Sequence, residues 1–142
     1  MATYTDTLGF YKGTAGFDSK NPFCVSKLEV TLDFAKIIAA RAAAGATALA
    51  ALDVLEVLRI PAGSMLLGAG LEVLEVETVN TTGTLDLANG ATALAINALA
   101  FESNPLAAPV VYNAADTLDI TINTAAPTNA VVRAFAIVVN LL

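Results

Sequence analysis

The clearest pattern along the chain is the alternation in "KLEVTLDF". Leu28, Val30, Leu32 and Phe34 fall on one face, and Glu29, Thr31 and Asp33 on the other. That period of two predicts a half-buried strand. The pattern then changes: "DFAKIIAARAAAG" supplies Asp33 as a helix N-cap, a run of good helix formers, and Gly45 as a stop, which predicts a short helix over 34–44. An alanine-rich extended loop is the alternative.

Beyond it, turn signals come at short intervals and the segments between them are β-like. "DVLEVLRI" ends at the Pro61-Ala62-Gly63 turn, and "SMLLGAGLEVLEVETV" ends at "NTTG". Inside the second segment the alternation slips, because Leu71 and Val73 share one face while Leu74 and Val76 share the other. A β-bulge near Val73–Leu74, or burial on both faces, accounts for the slip. "TLDLA" is closed by the hairpin dipeptide Asn89-Gly90. "ATALAINALAF" is ambiguous between strand and helix, and "ESNPLAAP" reads as a loop before "VVYN". "DTLDITINT" alternates again, with Leu118, Ile120 and Ile122 inward. "VVRAFAIVVNLL" is almost continuously apolar, which predicts a central strand buried on both sides. A chain closing on such a strand has its end sewn into the core or into a subunit contact.

These elements predict an all-β fold: an antiparallel β-sandwich, jelly-roll-like, with one short helix. Residues 25–142 form the sandwich domain, and 1–24 form an extended, irregular N-terminal arm. No period of 20–50 residues repeats, so solenoids and propellers are disfavoured.

Composition changes this picture in one respect. Of the 142 residues, 56% are hydrophobic and only 14% charged, against roughly 25% in an ordinary globular domain. A monomer needs charge to cover its outside, so part of this surface is expected to face another protein. Membrane insertion fails on run length: the uncharged stretch Ala42–Leu52 contains Thr47 and is far short of the ~20 apolar residues a span needs. The start, Met1-Ala2-Thr3-Tyr4, lacks the basic and apolar regions of a signal peptide and reads as cytosolic.

The net charge of −6 is uneven: residues 1–41 sum to +1 and residues 42–142 to −7. An acidic body argues against nucleic acid as partner, since phosphate binding runs on Lys and Arg. The sharper reading is that the near-neutral end docks and the acidic end faces water; the plainer one is solubility alone.

Catalytic chemistry finds no residues to work with. There is no histidine, which removes the Ser-His-Asp triad, the Cys-His pair and every His-dependent metal site. The single cysteine, Cys24, allows no internal disulfide or Cys-based zinc site and reads as a small buried hydrophobe. Glu75 and Glu77 would lie about 6.8 Å apart on one strand face by strand rise, a spacing known in glycoside hydrolases. With no tryptophan and no aromatic ring close by in sequence, they read as outward-facing acids on an exposed strand. Gly68 and Gly70 lack P-loop spacing and read as backbone accommodation. Acids such as Asp53 and Asp116 sit in predicted loops, but no calcium-loop motif appears. The expectation is a protein with no cofactor and no enzymatic activity.

The arm is the remaining candidate. Tyr4, Phe10, Tyr11, Phe17 and Phe23 are five of the nine aromatic residues, gathered within 1–23 among glycines. They either fold back onto the domain's own sandwich or anchor in a pocket on another subunit or partner, as suits a segment that orders on binding.

"DVLEVLRIPAGSMLLGAGLEVLEVE", "NTTGTLDLANG" and "NAADTLDITINTAAPTNAVVRAFAIVVNL" together resemble small head proteins of tailed phages. They are similar in particular to capsid decoration (cement) proteins of phages infecting cyanobacteria and other aquatic bacteria. The resemblance covers about Lys27 to Leu142 and rests on strand and turn order. It implies a virion protein on the outer surface of the capsid, made in the host cytoplasm, bound to the major capsid protein and often trimeric. Another assembling structural protein, such as a tail, head-fibre base or surface-layer subunit, is the alternative, and a ligand-binding β-sandwich is less favoured.

Overall fold

The computed structural model describes residues 3–5, 14–15, 25–87 and 94–141, with backbone alone over 3–5, 14–15 and 101–108. Ten strands and one helix follow one another: β1 Thr3–Thr5, β2 Thr14–Ala15, β3 Val25–Asp33, α1 Phe34–Ala43, β4 Val54–Ile60, β5 Ser64–Glu75, β6 Thr84–Leu87, β7 Leu94–Ala95, β8 Phe101–Tyr112, β9 Asp116–Asn123 and β10 Val131–Asn140. Sheet I has the order β1-β4-β9-β6-β7, and sheet II the order β2-β3-β10-β5-β8. Without the two arm strands these reduce to 4-9-6-7 and 3-10-5-8, the jelly-roll order of a two-sheet sandwich. β1 runs parallel to β4, and the other described pairings are antiparallel. No described helix is long and apolar enough to cross a membrane.

The core lies between the sheets and is built from the predicted inward sets. Leu28, Val30, Leu32 and Phe34 from β3 and the start of α1 meet Leu118, Ile120 and Ile122 from β9, all buried. The helix begins and ends where its caps dictate. The Asp33 carboxylate accepts the Lys36 backbone N–H (3.2 Å), and Gly45 adopts φ +67° just past the helix, a conformation that costs a residue with a Cβ 1–2 kcal/mol by rough estimate. The slip in β5 is a bulge: Val132 pairs with Val73 and Val131 with Glu75, leaving Leu74 as the extra residue. Leu71 and Val73 thereby point inward while Leu74 is exposed.

Two expectations are corrected and one ambiguity is resolved. The segment "ESNPLAAP" is not a loop, since β8 runs through it. β8 is the outermost strand of sheet II, and an edge strand tolerates prolines that a central strand would not. The chain accommodates Pro105 and Pro109 by a break in register, with Pro105 opposite Gly68 but Val110 opposite Leu66. Next, β10 is central, between β3 and β5, yet it is not buried on both sides. Val132, Ala134, Ala136 and Val138 face the core, while Arg133, Phe135 and Ile137 are only half-buried on the outer face. Finally, the ambiguous segment after 91 gives the two-residue β7 followed by bends. Thr84 opposite Ala95 and Leu85 opposite Leu94 is the register a turn at Asn89-Gly90 would set; 88–93 lies outside the described residues.

Two pieces of the predicted arm belong to the sheets. β1 places Tyr4 opposite Leu55, and β2 places Thr14 opposite Glu29 and Ala15 opposite Leu28. The arm thus contacts both sheets on the side of the sandwich where β4 and β3 lie.

Candidate docking face

Strand register determines what each sheet shows to the outside. On sheet II, one row across β3, β10, β5 and β8 is Val25, Val139, Met65 and Val111. All four are apolar; Val25 and Val111 are more than half exposed, Met65 is half-buried and Val139 is buried. The next outward row holds Lys27, Ile137 and Gly68, and the one after it Glu29, Phe135 and Gly70. Ile137 and Phe135 therefore stand as a ridge beside backbone that carries no side chains. Four charges on this face form two ion pairs, and Glu75 stands exposed at the end of β5. Lys27 bonds Glu29 at 2.6 Å, and Arg133 bonds Glu72. The lysine hydrogen bond holds the Glu29 carboxyl below the usual carboxylate range.

Sheet I shows the opposite character. Its outward positions are Glu56, Arg59, Thr117, Asp119, Thr121, Asn123, Thr84 and Asp86. Glu56 and Asp119 lie directly across from each other on β4 and β9. Burial, reinforced by the charges of Glu56 and Asp116, pushes the Asp119 carboxyl up against the lowering effect of the Thr117 hydroxyl. Asn123 bonds Asp86 on the same face. One side of the sandwich is largely apolar with most of its charges paired, and the other is acidic.

Glu77 is the residue that sequence reasoning placed wrongly. It is 1% exposed, beyond the end of β5, and not on an exposed strand face. Its carboxylate accepts six hydrogen bonds: from the N–H groups of Val79, Asn80, Thr128, Asn129 and Ala130, and from the Thr128 hydroxyl. Burial alone would raise its pKa, but these bonds, led by Thr128 and Asn129, bring it down to about 2. Asn80 donates to the Ala126 carbonyl, and Thr78 and Asn129 exchange bonds in both directions. The β5–β6 connection is clasped to the β9–β10 connection. Beside the clasp, a groove of about 240 Å³ is lined by Ile38, Ala42, Leu49, Pro127 and the stem of Arg41, whose guanidinium donates to the Thr47 carbonyl.

Of the five arm aromatics, Tyr4 sits in β1, while Phe10, Tyr11, Phe17 and Phe23 lie outside the described residues. Among the described residues no three His, Cys, Asp or Glu side chains gather as a metal site. Ser64 is buried with its hydroxyl donating to the Pro61 carbonyl, and Asp53 caps its own turn at the Ala50 N–H.

The class of protein this arrangement defines is a jelly-roll β-sandwich with one face suited to broad, flat contact. Two solved structures share that fold. One is a chain of the capsid of Ralstonia phage GP4, with TM-score 0.61 and 14% identity, matched over 98% of this chain and 98% of that one. The other belongs to the acid-stable capsid of Helicobacter pylori bacteriophage KHP30, with TM-score 0.55 and 10% identity, over 84% of this chain and 90% of that one. Both matched chains are therefore about the size of this one, and neither comes from a phage of a cyanobacterium. No protein-family model and no curated protein sequence matches the chain.

Proposed function

We propose that this chain is a structural protein of a phage head. It binds the outer surface of the capsid and decorates or cements the shell as a trimer, with the major capsid protein as its partner. The observation that carries the reading is the fold shared end to end with a capsid chain of the same size. The two unlike faces support it. The apolar face of sheet II is the side that meets the shell, and the acidic face of sheet I remains in water. Many such contacts repeated over a lattice hold by avidity even where one alone is weak.

The arm contributes a second attachment. Tyr4, Phe10, Tyr11, Phe17 and Phe23 serve as its aromatic anchors on the capsid or on a neighbouring subunit, and residues 25–142 form the body that the arm tethers. Trypsin digestion of the free protein tests this part, with cutting sites at Lys12, Lys20 and Lys27. Loss of the arm from a surviving core supports anchoring on a partner. Full resistance assigns the rings to the protein's own fold.

The function itself is tested by mixing the purified protein with heads assembled without it. Co-sedimentation and a higher rupture temperature are expected. Binding with no change in rupture leaves decoration and removes cementing, and failure to bind overturns the reading.

A further inference from the structure

β8 closes sheet II on the side away from the arm, and among the described residues no strand pairs with its free edge. At its C-terminal end Tyr112 packs partly against the core, while the two valines before it are open to solvent. Val110 and Val111 project to opposite faces of the sheet, yet they are 43% and 51% exposed, so neither face is covered there. Natural edge strands discourage pairing by being short, by carrying lysine or by placing proline on the edge. Here the strand is 12 residues long, and its prolines, 105 and 109, both precede the open segment. Opposite β5 the end is regular, with Leu66 against Val110, Met65 against Val111 and Ser64 against Tyr112. Those three residues, just past the break in register, keep the antiparallel pairing geometry that another strand needs.

We infer that the edge of β8 at Val110–Tyr112 pairs antiparallel with the same edge of a second copy of this chain. Charge selects that occupant. The chain carries a net −6, and two copies meeting at sheet I would bring Glu56, Asp86 and Asp119 against their own counterparts. Residues 103–115 contain no charged side chain at all. A two-fold pairing centred on Val111 sets valine against valine and Val110 against Tyr112, with no like charges in contact. Sheet II then continues across the contact from one copy to the next, and its apolar outer face becomes twice as wide. The pairing concerns the isolated protein and does not depend on the shell reading. Within that reading it joins neighbouring trimers across two-fold positions.

The test uses sedimentation of the full chain over a range of concentrations, together with two variants. The parent is expected to show a mass that rises with concentration. Val111→Lys, an exposed site that keeps the same circular dichroism and melting temperature, is expected to lose at least tenfold in association constant. In a Cys24→Ala background, Val111→Cys is expected to give disulfide-linked dimers on mild oxidation, because side chains facing each other across such a pair lie within bridging distance. Glu56→Cys, on the acidic face, is the control and is expected to give none. A parent mass independent of concentration, an unchanged association in Val111→Lys, or crosslinking no better than the control each overturns the inference. So does a Val111→Lys variant that loses binding to heads while the free parent does not self-associate, since the edge would then belong to the shell.

Discussion

At the residue scale, Glu77 and Gly83 hold the end of the sandwich in place. Glu77 gathers six donors from two loops, three on each carboxylate oxygen, and glutamine would keep one oxygen but set an NH2 group against the other three donors. Glu77→Gln is expected to lower stability at neutral pH by about 2–4 kcal/mol, read as a drop in the denaturant midpoint. Gly83 lies where the clasp passes the core. A Cβ there would sit 3.0 Å from both the Ala125 carbonyl oxygen and Ile96 Cδ1, and 3.2 Å from the Asn80 carbonyl oxygen. Two of these neighbours are backbone and yield little. Gly83→Ala is therefore expected to cost about 1–3 kcal/mol, with the melting temperature as the measure.

At the scale of elements, α1 is capped at its start by Asp33. Asp33→Ala removes the acceptor for the Lys36 N–H and is expected to cost about 1 kcal/mol. The accompanying Asp33–Lys36 ion pair is largely exposed and adds little. This helix was readable in the sequence because Asp33 and Gly45 bound it. The strands β3 and β9 were readable because polar and apolar residues alternate strictly along them. The bulge at Leu74 announced itself as a break in that alternation. β8 was hidden for a physical reason. Pro105 and Pro109 mean a loop unless the strand is an edge, and only the assembled sheet says which strand is an edge. β10 misled in another way, since Phe135 and Ile137 read as core but line an outer face that is itself apolar. Glu77 escaped because its donors at 128–130 lie some fifty residues away in the chain, and because strand parity was carried past the end of β5. The candidate docking face had no motif at all. It exists only in the register of four strands.

At the scale of the whole molecule, the unlike faces and the clasp govern how the fold responds to acid. Glu77 has a folded pKa of about 2 against an ordinary value of 4.5. A depressed carboxylate contributes stability that is complete above the unfolded pKa and is lost as pH falls through the folded one. That contribution is thus whole at neutral pH, erodes below about pH 4.5, and is gone near pH 2. Asp119 acts with the opposite sign, because its raised pKa makes protonation favour the folded state. Relief of the Glu56–Asp119 repulsion therefore offsets part of the loss. Unfolding midpoints measured from pH 7 to pH 2 are expected to fall mainly below pH 4.5, and Glu77→Gln is expected to flatten the curve there.

The position of β10 has a consequence for synthesis. It lies between β3 and β5, so the middle of sheet II is supplied by residues made some hundred positions after β3. A ribosome that has delivered everything up to Ala130 has delivered a sheet with an empty centre. Folding must wait for Val131–Asn140, and pairings this distant in sequence form slowly. A chain stopped after Ala130 is expected to lack the cooperative melting of the 142-residue chain. Nascent chains would then expose the alternating apolar faces of β3 and β5 to chaperones until the last strand arrives.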